Sequence, residues 1–226
     1  LVALAPLLGA MRYVTEPLWR APAVTDAMRA LPLTSLTGVV SSPSLSPDGT
    51  FVVFAWNGKK QDNQDLYVQQ IGAGSPFRLT NDPANDYSPS WSPDGRSIAF
   101  LRRLPTGRGS EVRLIAPLGG TERKVADIEP FLPSYRPHAL GWCPDSSCLV
   151  TTDRAGQSDA IVAIAVETGE KLPLTQPEER EVDQDPAISP DGRHLIFRRN
   201  TTPFSGTFYR QRLRDNAIPD GAPVAL

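Results

Sequence analysis

Histidine and cysteine are scarce in this chain, with two of each in 226 residues. His138 and His194 stand 56 residues apart, without cysteine or carboxylate at ligand spacing, which excludes a recognisable zinc site. Neither histidine sits in a triad context, and no Gly-x-Ser-x-Gly elbow occurs. A phosphate-cradling glycine loop ending in lysine is also missing. Asp62-Asn63-Gln64-Asp65 has some of the oxygen ligands of a calcium loop but lacks its glycine and distal glutamate, so it is taken as a connection between strands. The chain is therefore expected to be non-enzymatic, with no cofactor and no metal.

Charge of one sign is equally lacking. Twenty-three Lys and Arg oppose 25 Asp and Glu, a net charge of −2, which leaves no basic footprint for nucleic acid. Long hydrophobic runs are absent too. Leu1–Met11 is free of charge up to Arg12. As a helix those residues would span only about 16 Å, against roughly 30 Å for a bilayer core. Residues 1–14 are an apolar leader: the tail of a transmembrane helix, the end of a signal peptide with small Gly9-Ala10, or a buried N-terminal segment. Residues 15–30 form a linker, with a helical turn possible in composition at Thr25–Ala30.

Proline and glycine are plentiful, 23 and 17 residues, as suits a turn-rich all-β chain. Ser46-Pro47-Asp48-Gly49, Ser92-Pro93-Asp94-Gly95, Cys143-Pro144-Asp145-Ser146 and Ser189-Pro190-Asp191-Gly192 repeat one turn, with prolines 46, 51 and 46 residues apart. Proline presets φ, aspartate bonds its own backbone and glycine supplies positive φ. A short strand precedes each turn, for example Pro89-Ser90-Trp91, and an apolar run follows it, for example Ile98-Ala99-Phe100-Leu101. A third strand follows at Leu66–Ile71, Val112–Ala116, Ile161–Val166 and Phe208–Leu213. A fourth follows at 77–80, 123–126 and 172–175.

Four antiparallel strands per roughly 46 residues define a β-propeller blade. The expected fold is all-β, with four blades over residues 31–226. The longer second interval is assigned to the loop Phe131–His138. Outer-strand sequence appears both at Leu31–Thr34, before the first blade, and at Pro223–Leu226, after a long turn at Asp215–Gly221. The expectation is therefore an open arc, with further blades supplied downstream or by another chain.

Cys143 and Cys148 flank the one turn that lacks glycine. They face each other across a hairpin at a separation a disulfide can bridge, which suits an oxidising compartment. Two buried free thiols are the other reading. The aspartates Asp48, Asp94, Asp145 and Asp191 are structural parts of their turns. The candidate recognition face is the opposite one, formed by the B–C and D–A connections, where loops on a rigid scaffold carry binding residues. It holds Lys59, Lys60, Arg102, Arg103, Arg154, Arg198 and Arg199, together with Asp82, Asp86, Glu178, Glu179 and Glu181. This mixed charge suits a protein or peptide partner.

The runs Pro43–Gly49, Phe54-Ala55-Trp56, Asp65-Leu66-Tyr67-Val68, Arg78-Leu79-Thr80 and Ser88–Gly95 resemble the TolB-type (WD40-like) propeller repeat. The resemblance covers about residues 31–226, and blade three departs from it at Cys143 and Ser146. It implies a fold more than a function. Such repeats occur in periplasmic TolB-like binding proteins, outside the membrane in anchored bacterial transcriptional regulators or Ser/Thr kinases, and before the hydrolase domain of prolyl-oligopeptidase-like serine peptidases. The apolar leader before the first blade favours the second setting, a periplasmic sensor anchored through its N-terminus. The alternatives are a substrate-gating peptidase propeller and a free-standing TolB-like binding protein.

Overall fold

The computed structural model describes residues 32–72, 74–130, 140–202, 205–214 and 217–226. The expected leader, linker, Thr25–Ala30 turn and Phe131–His138 loop lie outside these. The chain divides into two units, Leu1–Pro32 and Leu33–Leu226, and all the strands belong to the second.

Among the described residues sixteen strands form four antiparallel blades, with no α-helix. Blade one is β1 (Val40–Leu45), β2 (Phe51–Trp56), β3 (Asp65–Gln70) and β4 (Phe77–Arg78). Blade two is β5 (Asp86–Trp91), β6 (Ile98–Arg103), β7 (Ser110–Ile115) and β8 (Arg123–Ile128). Blade three is β9 (Leu140–Trp142), β10 (Cys148–Ala155), β11 (Ser158–Ala165) and β12 (Lys171–Pro173). Blade four is β13 (Val182–Ile188), β14 (His194–Thr202), β15 (Ser205–Arg214) and β16 (Ile218–Ala225).

The arrangement is an open arc, as expected. The outer strand of blade four begins earlier than the sequence indicated: Ile218 already pairs with Arg214, so residues 218–221 are strand rather than turn. Asp220 and Gly221 hide this, because both are residues typical of turns.

Second strands read as continuous apolar runs because both of their faces are covered. From blade one, Val53, Ala55, Leu66 and Val68 pack against Trp91, Ile98, Phe100 and Ile115 of blade two. Ala99, Leu101, Val112 and Leu114 then meet Leu140, Leu149, Val162 and Ile164 of blade three. Val150, Ile161 and Ala163 meet Leu195, Phe197 and Leu213 of blade four. At roughly 1.5–3 kcal/mol for each large apolar side chain buried, these three seams hold the blades together.

Blade four breaks the pattern on its far side. Register places Ile196, Arg198, Phe208 and Arg210 where blade two has Ala99, Leu101, Val112 and Leu114. Phe208 and Val224 on that face are more than half exposed.

The innermost strands share one irregularity. β1, β5 and β13 each carry a bulge, at Ser42, Ser88 and Asp185 with φ of 53°, 49° and 56°. Each of these residues precedes a proline, which cannot donate to the ladder, so the bulge absorbs the unpaired position.

Candidate recognition surface

The four repeated turns are built by their serine and aspartate side chains. In blade one the Ser46 hydroxyl donates to Asp48 Oδ1 at 2.5 Å, and the Thr50 N–H donates to the same oxygen at 3.0 Å. Blades two and four repeat this through Ser92–Asp94 and Ser189–Asp191. The hydroxyl and backbone N–H groups hold the carboxyls of Asp48, Asp94, Asp145 and Asp191 below their ordinary pKa. In blade three the hydroxyl comes from Ser147 instead, and Ser146 adopts φ 61° in the place of glycine. Cys143 and Cys148 are paired as a disulfide with their Cα atoms 5.2 Å apart. Successive turns also stack: a Cβ at Gly95 would lie 3.9 Å from Pro47, and one at Gly192 the same distance from Pro144.

The opposite face is made by B–C and D–A connections that bind one another. Asn63 Nδ2 donates to the Asp82 carbonyl at 2.7 Å, and the Asp86 N–H donates to the Gln64 carbonyl at 2.8 Å. Further along the arc, the Ser158 hydroxyl donates to the Glu178 carbonyl at 2.8 Å. The D–A segments 79–85 and 174–181 are thus fastened to the blade before them, which gives these loops a fixed platform.

Not all of this face is loop. Arg102 and Arg103 lie in β6, Arg154 in β10, and Arg198 and Arg199 in β14, because these strands run further than their apolar cores. The B–C connection of blade three shrinks to Gly156-Gln157 between the paired residues Ala155 and Ser158. Among the described residues, the expected long charged loops are therefore confined to blades one and two and to the D–A segments.

The candidate residues separate into two groups. Asp86 is fully buried, and Arg102 grips it through Nε and Nη2 at 2.7 and 2.8 Å. Arg102 also reaches Glu122 at 2.7 Å and Asp82 at 3.0 Å. Burial raises the Asp86 pKa against the pull of Arg102. Burial also works against the Arg102 charge, but Asp86 and Glu122 outweigh it and hold its pKa above the ordinary arginine value. Blade four repeats the clamp: Arg199 meets Asp183 at 2.8 and 2.9 Å, and Glu181 lies 3.5 Å from Arg199. Arg198 sits 3.5 Å from Asp185. Arg103 lies 5.5 Å from the Tyr87 ring centre. These groups are engaged with the protein itself. Lys59, Lys60, Arg154, Glu178 and Glu179 are exposed and form the outward part of the candidate face.

Sequence reasoning missed Asp65. It is buried beside Arg78, its Oδ1 has no hydrogen-bond partner, and burial lifts its pKa to about 6. The signal available was an aspartate directly before the apolar run Leu66-Tyr67-Val68, but the sequence did not show that blade two would cover it. Among the described residues no cluster of histidine, cysteine and carboxylate suits a metal, and no helix is long and apolar enough to cross a membrane.

Residues 25–206 match the sequence family described as the TolB beta propeller domain. The chain belongs to this family. Among curated proteins the TolB-type propeller is 26% identical over 213 residues to the uncharacterized peptidase YuxL of Bacillus subtilis, covering 74% of this chain and 31% of that protein. It is 28% identical over 172 residues to the Tol-Pal system protein TolB of Francisella tularensis, covering 74% of this chain and 37% of that one. The TolB-type propeller thus spans about a third of the length of these relatives. The crystal structure of TolB from Acinetobacter baumannii superposes with a TM-score of 0.66 at 18% identity, over 81% of this chain and 43% of that one. At that identity the superposition shows the fold alone.

Proposed function

We propose that this chain is a non-catalytic, protein-binding propeller segment working outside the cytoplasm, with the face of Lys59, Lys60, Arg154, Glu178 and Glu179 as its recognition surface. The observation that carries the reading is the contrast between the two faces. On one, each turn aspartate is bound through Oδ1 within its own turn. On the other, exposed charges of both signs stand on loops at Lys59, Lys60, Glu178 and Glu179 and at the end of β10 at Arg154. Similarity to TolB of the Tol-Pal system supports a binding role, and the disulfide at Cys143–Cys148 supports an oxidising compartment. The finer idea of a membrane-anchored regulator rests on the apolar stretch Leu1–Met11, which lies outside the described residues. Further blades, from this polypeptide or another, are supported by the exposed far side of blade four.

A second reading, a propeller that gates or selects substrate for a peptidase, is favoured by the similarity to YuxL. Affinity capture with the full-length protein from the cell envelope tests the first. Lys60→Glu, Arg154→Glu and Glu179→Lys together should abolish recovery of a partner that wild type retains. Unchanged recovery would contradict the assigned face, and hydrolysis of peptide substrates by this chain alone would contradict the non-catalytic role.

A further inference from the structure

The fold-marking turns enclose a cleft of about 360 Å³ between blades one and two, on the face opposite the proposed recognition surface. Phe51, Val68 and Trp91 form its walls, with Phe51 and Trp91 stacked at 6.4 Å between ring centres. Phe51 has no counterpart in the other blades, where Ser97, Cys148 and His194 hold its position. Asp48 and Asp94, one from each turn, stand on the lining, and no lining side chain is cationic. The turn hydroxyl and N–H groups that bind these carboxylates are neutral and keep both ionised. Arg96, next to the second turn, lies outside the lining and acts on Asp94 as the nearby positive charge. Leu118 stands on the rim at 86% exposure.

We propose that this cleft binds a peptide segment of a partner protein that presents an arginine or lysine beside an apolar side chain. The apolar body packs into the cleft against the stacked Phe51 and Trp91, and the cation meets Asp48 and Asp94. A volume of this size accommodates about two side chains. Leu118 favours a peptide over a free amine, because its apolar surface lies beyond what a ligand confined to the cleft would cover.

The test is a titration of the 15N-labelled full chain followed at the Trp91 indole N–H, identified by its loss in Trp91→Phe. Acetyl-Leu-Arg-Leu-amide should shift this signal saturably, and acetyl-Leu-Glu-Leu-amide should not. Asp48→Asn with Asp94→Asn keeps the turn acceptors and should weaken binding about tenfold, as the loss of two partly screened ion pairs implies. Leu118→Ser should weaken it about fivefold through lost apolar contact. Equal shifts with both peptides, an unchanged affinity in the double variant, or equal affinity for phenethylammonium would overturn the proposal.

Discussion

The Phe51 backbone N–H donates to the Ser46 hydroxyl at 2.9 Å, closing the first turn from the side. Ser97 to Ser92 and His194 to Ser189 repeat this bond. In blade three the same two positions are Cys143 and Cys148, and the disulfide replaces the hydrogen bond. The covalent link thus stands where the turn has lost both its serine and its glycine.

Reduction should therefore lower stability by about 2 kcal/mol, the loop-closure value for so short a ring. Urea unfolding with and without reductant measures this. The Cys143→Ser, Cys148→Ser double variant should be insensitive to reductant, and an equal effect of reductant on it would show that the bridge is not responsible.

The buried clamps predict a second asymmetry. Asp183→Ala leaves Arg199 without its bidentate partner and should cost about 3–5 kcal/mol. Replacing both residues by apolar ones of similar volume should cost far less. Denaturant midpoints of the two variants decide it, and equal losses would contradict the clamp.

Gly169 joins blade three to blade two by close backbone approach. It has φ 72°, and a Cβ there would fall 2.2 Å from the Val125 carbonyl oxygen. Gly169→Ala should destabilise by well over 1 kcal/mol through strain and clash together. Gly156→Ala, with open space around it, should lose only the conformational part. Thermal unfolding of the pair separates the two effects.

Asp65 gives a pH signature. Its folded pKa of about 6 lies above the unfolded value, so the native state holds the proton more tightly. The stability it contributes is present below about pH 4 and is lost as pH rises through about 6. The turn aspartates act with the opposite sign: their contribution is present above the unfolded value and lost as pH falls through their lowered pKa. Asp65→Asn should remove the decline between pH 4 and 6 while leaving the acid limb in place, as unfolding free energies measured across that range would show.

The blades were legible because three determinants coincide every 46 residues or so: a proline-aspartate turn, a doubly buried second strand, and alternating flanks. Runs such as Phe51-Val52-Val53-Phe54 and Ile98-Ala99-Phe100-Leu101 announce themselves by being apolar on both faces of a strand. The recognition surface was only half legible. Arg102 and Arg154 look alike in sequence, but one lies buried against Asp86 and the other is exposed. That difference is set by how far a strand extends past its apolar core, as β10 and β14 do, and by which neighbouring blade covers it. Asp65 stayed hidden for the same reason.

The central claim is that partners meet the loop face bearing Lys60, Arg154 and Glu179, and not the repeated turns of blades three and four. Photo-cross-linking in the living cell tests it most directly, with a photoreactive residue placed singly at those three positions and at Asp145 and Asp191 in the full-length protein. The account predicts discrete protein adducts from the first three sites and none from the two turns. Adducts from the turns alone, or none from the loop face, would contradict it.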